Sequence, residues 1–79
     1  MQTEKFNSLY LTDPIRTVID KLMYNLKTES INQGRDNKQK IWGEVDEFGY
    51  LYLYVKAKIE KGSITTKLKV YPGEWAYAH

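Results

Sequence analysis

Cysteine is absent from the 79 residues, and the single histidine, His79, is the last of them. These absences exclude a disulfide framework, a thiolate metal site and an imidazole cluster, so neither a metal nor another cofactor is expected. No run approaches the roughly 18 apolar residues of a membrane-spanning helix. The first residues, MQTEKFNSLYL, lack the basic-then-apolar order of a signal peptide. The chain reads as soluble and cytoplasmic, without a membrane partner. Also missing are a Gly-rich phosphate loop, a nucleophile with a histidine base, and acidic residues at metal-ligand spacing; Asp46 and Glu47 are neighbours on a turn, where their carboxylates diverge. A non-enzymatic protein is expected.

What is present is a small chain with an uneven surface. Its length suits a single domain, residues 1–79, that buries about 60 to 65% of the surface exposed by the unfolded chain. The formal net charge is only +2, but Tyr50 to Tyr71 holds Lys56, Lys58, Lys61, Lys67 and Lys69 against Glu60 alone. Seven tyrosines and two tryptophans are a heavy aromatic load, and several fall in that same basic stretch.

Residues 50–71 alternate with the period of a strand. Leu51, Leu53, Val55, Ala57 and Ile59 fall on one side, and Tyr50, Tyr52, Tyr54, Lys56 and Lys58 on the other. A second strand repeats the division, with Ile64, Leu68 and Val70 inward. Upstream, Asp13-Pro14 marks a helix start, with Asp13 as the cap. Ile15, Val18, Ile19, Leu22, Met23 and Leu26 then form one apolar stripe, the signature of a core-facing helix. Residues 27–40 are polar and aperiodic around Gly34 and Asp36-Asn37, which predicts a loop whose Arg35, Lys38 and Lys40 can extend the basic surface. A helix carried on toward Ser30 would shorten it. Strand character resumes at Ile41, and Asp46-Glu47-Phe48-Gly49 reads as a type I turn with glycine in a left-handed bulge position. The predicted fold class is α+β: one helix packed on a three-stranded antiparallel meander, in the order α-β-β-β. Residues 1–12 declare no period and leave a short N-terminal fourth strand open. Gly43, on the inward face, is expected to admit the helix closely. Trp75 and Tyr77, beyond the strand-stopping Pro72-Gly73, are expected to fold back onto the domain.

The first turn sets Val45 opposite Leu51, Gly43 opposite Leu53 and Ile41 opposite Val55. At the second turn, apolar matching favours Ile59 with Ile64, Val55 with Leu68 and Leu53 with Val70. These registers write the outward face as three rows: Trp42, Tyr54 and Lys69; Glu44, Tyr52 and Tyr71; Lys40, Lys56 and Lys67. Like charges aligned across strands are destabilising, and an anionic partner removes the penalty. Aromatic rings beside lysines also suit nucleic acid, whose bases stack on rings while its phosphates meet ammonium groups. The candidate site is Lys40, Trp42, Tyr52, Tyr54, Lys56, Lys58, Lys67, Lys69 and Tyr71, and single- or double-stranded nucleic acid is the leading partner. Glu44 is expected to accept a hydrogen bond from a tyrosine hydroxyl.

Two other readings use the same residues. Cross-strand aromatic pairs and strand lysines stabilise a sheet and discourage its aggregation without any ligand. Tyrosine and tryptophan also anchor protein interfaces, so the face can equally serve a protein partner, as an inhibitor or accessory module, or a homodimer. The segment KGSITTKLKVYPGEW resembles the end of the three-stranded arm-type DNA-binding domains of some tyrosine recombinases, which finish a strand with a similar apolar-Pro-x-x-Trp run. Upstream, those domains have a strand where this chain has a helix, so the resemblance is confined to these residues and no membership is drawn from it.

Overall fold

The computed structural model of the chain describes residues 1–32, 38–59 and 61–78, with 31 and 32 described by their backbone alone. Gly34, Arg35, Asp36 and Asn37 of the expected loop, Glu60 of the second turn and His79 lie outside the described residues. In chain order the elements are β1 (Gln2–Lys5), a 3-10 turn (Phe6–Ser8), β2 (Leu9–Leu11), α1 (Asp13–Asn32), β3 (Gln39–Val45), β4 (Leu51–Ile59), β5 (Gly62–Val70) and β6 (Trp75–Tyr77). The fold is α+β, with one helix and antiparallel strands. The meander β3-β4-β5 is present, and β1 pairs with β3 to make a four-stranded sheet in the order β1-β3-β4-β5. The simple order α-β-β-β is therefore corrected, because two strands precede the helix. Neither has the length to show a period, which is why residues 1–12 read as ambiguous.

The alternation of β4 is what assembles the core. Leu51, Leu53, Val55 and Ala57 are buried on one side of the strand, together with Val70 of β5. At roughly 1.5 to 3 kcal/mol for each fully buried aliphatic side chain, this column contributes a large share of the favourable side of folding. Ile15, Ile19 and Leu26 of α1 pack into the same cluster. Val18 does not: it is 42% exposed, because at roughly 100° per residue it lies about 90° from the centre of the buried stripe. The helix start also differs by one residue. The Thr12 carbonyl accepts the first helical bond from the Arg16 N–H at 2.9 Å, which makes Thr12 the cap and puts Asp13 in the first turn, beside the positive end of the helix dipole.

Residues 27–32, expected in the loop, continue the helix. The stripe runs one turn past Leu26 onto Ser30, which is polar but fully buried, and its Oγ donates to the Lys58 carbonyl at 2.7 Å. β3 begins opposite Ala57, so the Lys58 carbonyl lies just past the end of that ladder, where the Ser30 hydroxyl reaches it. Gln39 adds a second tie, its Nε2 donating to the Met23 carbonyl at 2.6 Å.

The other half of the inward face is covered by β2 and β6, which pair with Leu9 opposite Tyr77 and Leu11 opposite Trp75. Leu9 and Leu11 are buried in the core cluster, and Trp75 packs against it. The Trp75 indole N–H donates to the Gly49 carbonyl at 2.9 Å, fastening the tail to the β3–β4 turn. Tyr77 meets Trp75 edge to face at 5.0 Å. Burial raises the pKa of its hydroxyl, as do the charge and hydrogen bond of Glu4. The close approach expected at Gly43 is real but is not made by the helix. A Cβ there would sit 2.9 Å from Leu51 Cδ1 and 3.0 Å from Leu9 Cδ1, so the side chains of β4 and β2 fill the space that the glycine leaves.

The first turn forms as the sequence predicts. The Gly49 N–H reaches the Asp46 carbonyl at 3.3 Å, the Asp46 N–H reaches the Tyr50 carbonyl at 3.1 Å, and Gly49 has a φ of 87°. The Asp46 carboxylate organises this turn: Oδ1 accepts from the Phe48 and Tyr50 N–H groups and Oδ2 from the Tyr52 hydroxyl at 3.2 Å. Desolvation works to raise the Asp46 pKa, but these bonds and nearby Lys69 outweigh it and hold it below its ordinary value.

Two outcomes follow for stability. Gly43→Ala should cost about 1 to 3 kcal/mol in a urea titration, because the buried Leu51 and Leu9 side chains must shift to admit the methyl group. Asp46→Asn should melt at a lower temperature than the parent at neutral pH. Because the folded-state pKa is depressed, the parent's advantage is complete above the unfolded value near 3.8 and disappears as pH falls through the folded value. A melting difference that persists in strong acid would show that the charge of Asp46 contributes nothing to the turn.

Candidate functional site

The sheet face opposite α1 and the β2–β6 pair carries the even-numbered side chains of β3 and β4 and the odd-numbered ones of β1 and β5. No described element crosses it. β3 pairs with β4 in the predicted register, Trp42 opposite Tyr54, Glu44 opposite Tyr52 and Lys40 opposite Lys56. β5 does not take the predicted register. Tyr52 faces Lys69, Tyr54 faces Lys67, and Lys56 faces Thr65. The expected row of three lysines is thereby corrected to the single pair Lys40 and Lys56, and Tyr71 lies beyond the ladder rather than opposite Tyr52.

The reason is the second turn. Ile59 pairs directly with Gly62, so only Glu60 and Lys61 separate the strands. Gly62 has a φ of 143°, a backbone conformation that favours glycine. The displacement from the predicted register is two residues, which leaves every side chain on its predicted face. Apolar matching survives too, as Ala57 with Ile64, Leu53 with Leu68 and Leu51 with Val70. Hydrophobic pattern alone cannot distinguish these two registers. The tighter turn decides between them.

With this register the lysines of β5 interleave with the aromatic side chains. Lys67 Nζ lies 4.8 Å from the centre of the Tyr52 ring, and Lys69 Nζ lies 4.5 Å from that of Tyr50 and 5.5 Å from that of Tyr71. Each is a cation over a π face, worth about 0.5 to 1 kcal/mol at an exposed site. Trp42 and Tyr54 stack at 5.3 Å with only 11° between their planes. Tyr50 and Tyr71 meet edge to face at 5.5 Å, and Tyr71 is 54% exposed. Lys40 Nζ lies 6.0 Å from the Trp42 ring.

The carboxylates of this face are engaged by tyrosines. Glu44 bonds the Tyr54 hydroxyl, as expected; desolvation chiefly, then the charge and hydrogen bond of Glu44, raise the tyrosine pKa. Tyr52 is raised in the same way by desolvation and by Asp46. At the opposite end Lys40 and Lys56 face each other, on a row that holds no carboxylate among the described residues, and with Lys38 and Lys58 they line a depression of about 290 Å³. A second depression is bounded by Thr3, Lys40, Trp42 and Lys56, so both lysines and the indole share its walls. The face is thus graded from phenols and bonded carboxylates at the β3–β4 turn to lysines at the far end.

All nine predicted site residues lie on this one face. Lys5 and Thr3, delivered to it by β1 opposite Trp42 and Glu44, escape the sequence reading because nothing in residues 1–12 fixes a register. Tyr50 is legible, since it shares the period of Tyr52 and Tyr54, but its place between Lys69 and Tyr71 depends on the corrected pairing. No protein-family model, curated protein or solved structure matches this chain.

Proposed function

We propose that this protein is a non-enzymatic binding module that takes single-stranded nucleic acid on the open face of its sheet. The observation that carries this reading is the placement of the stacked Trp42–Tyr54 pair beside the facing Lys40 and Lys56, with a depression lined by Trp42 and both lysines. An unpaired base supplies a ring for stacking, worth about 1 to 3 kcal/mol, while its phosphate meets the lysines. Aromatic rings on a sheet can reach bases only when these are unstacked, which favours a single strand over a duplex. The Lys40–Lys56 pair also gives the free protein a repulsion that a phosphate would relieve. A protein partner on the same aromatic face is the alternative outcome of the test.

The test is a fluorescence anisotropy titration with a labelled, mixed-sequence single-stranded oligonucleotide across a series of salt concentrations. Affinity should fall with salt, and Lys56→Glu should flatten the log–log slope by about 0.7 for each phosphate the variant no longer neutralises. In the free protein the same substitution should stabilise the fold by about 0.2 to 1 kcal/mol, because it turns the repulsion with Lys40 into attraction. Trp42→Ala should weaken binding and leave the slope unchanged. Undetectable binding at low salt, or binding indifferent to both substitutions, would reject the nucleic-acid reading and leave the face to a protein partner.

A further inference from the structure

The two edges of the four-stranded sheet are built differently. β1 is four residues long, runs directly into a 3-10 turn, and turns Glu4 toward the inward side, where it is paired with Gly43. A short strand and an inward-pointing charge are devices that block edge pairing. β5 has neither. It runs nine residues without a bulge, from Gly62 to Val70, proline comes only at Pro72, and its inward side chains Ile64, Thr66, Leu68 and Val70 are uncharged. Ile64 and Leu68 are only partly buried against the core.

The direction of the free backbone groups follows from the first turn. The Asp46 N–H donates to the Tyr50 carbonyl, so even-numbered residues of β4 bond toward β3 and odd-numbered ones toward β5. The β5 partners of those odd residues are even-numbered. Ser63, Thr65, Lys67 and Lys69 therefore point their N–H and carbonyl groups away from the sheet. A second strand can add only if it offers the same set.

We propose that β5 pairs with β5 of a second copy of this chain, antiparallel about a two-fold axis at Thr66, joining two sheets into one of eight strands. The strand is self-complementary in this register. Centring the axis on Thr66 overlaps the whole of Gly62–Val70, sets Lys67 opposite the partner copy's Thr65 and Lys69 opposite its Ser63, and brings the outward backbone groups into register for about eight hydrogen bonds. On the inward side it sets Leu68 opposite Ile64 and Thr66 opposite itself. Moving the axis by one residue either way destroys the match: at Lys67 two lysines face each other, and at Thr65 Lys69 meets Lys61. Full overlap and absence of like-charge contacts coincide at one register, which argues for a second copy over an unrelated strand. The two open faces then become one continuous surface with Lys67 and Lys69 of both copies along its middle. The pairing itself does not depend on what that surface binds.

The absence of cysteine supplies the experiment. Thr66→Cys should form an intermolecular disulfide under mild oxidation, because the two cysteines would oppose each other across a non-hydrogen-bonded pair, whereas the more exposed Thr65→Cys should not. Sedimentation of the parent into the high-micromolar range should show a monomer–dimer equilibrium. Thr65→Pro, which removes an outward N–H and leaves the β4 ladder intact, should weaken the dimer about tenfold or more. Ser63→Glu, which needs no backbone change and faces the partner copy's Lys69, should tighten it. A parent that stays monomeric throughout, or crosslinking that favours position 65 over position 66, overturns the proposal. Oligonucleotide binding by a strictly monomeric parent would overturn the dimer and leave the nucleic-acid reading standing.

Discussion

One strand must be dry on one side from Leu51 to Ala57, and the rest of the structure depends on that requirement. The inward residues of β4, from Leu51 to Ala57, are sealed from water, over a strand whose nine residues span roughly 30 Å. A single helix lying across the sheet does not close both ends. α1 covers one end with Ile15, Ile19 and Leu26, while Leu9, Leu11 and Trp75 cover the other. Residues near the two ends of the chain are thus joined as β2 and β6, and the indole bond to Gly49 closes that lid onto the first turn.

The same division makes the opposite face available. Every inward side chain on β4 implies an outward neighbour on a face that no described element crosses, and those neighbours are Tyr52, Tyr54, Lys56 and Lys58. Their chemistry is graded. Near the first turn, the carboxylates of Glu44 and Asp46 are bonded by tyrosine hydroxyls, and the β5 lysines rest over rings. Toward the far end, Lys40 and Lys56 oppose each other without an acidic neighbour on their row among the described residues. Aromatic contacts stabilise the free sheet, whereas the lysine pair works against it. A pair that weakens the free fold is the feature most simply explained by a bound anion.

Edge chemistry links this face to assembly. A nine-residue strand with free backbone groups and no inward charge is a hazard in an isolated sheet, and pairing two such edges removes it while doubling the open face. Ser63 and Thr65, which contribute nothing to the core, gain a role as the positions that keep lysines apart across the two-fold axis. Ser30 has a comparable role inside the protein, since its hydroxyl ties α1 to the Lys58 carbonyl at the end of the β3–β4 ladder.

By itself the sequence determined the faces. Alternation in residues 50–71 separates apolar from aromatic and basic side chains, Asp46 and Gly49 encode a turn that fixes the β3–β4 register, and the stripe from Ile15 to Leu26 locates the helix. These signals are local, acting over one turn or a few strand residues, so composition and spacing expose them. Tertiary structure decided what depends on distant partners. The helix continues to Asn32 because Ser30 meets Lys58, the strands of residues 1–12 exist because β3 and β6 accept them, and Gly43 accommodates Leu51 and Leu9 rather than the helix. The β4–β5 register belongs to the same class. A two-residue displacement preserves both faces and all the apolar matches, so only the closing geometry at Gly62 could choose, and that choice replaced a row of three lysines with one pair beside the stacked rings.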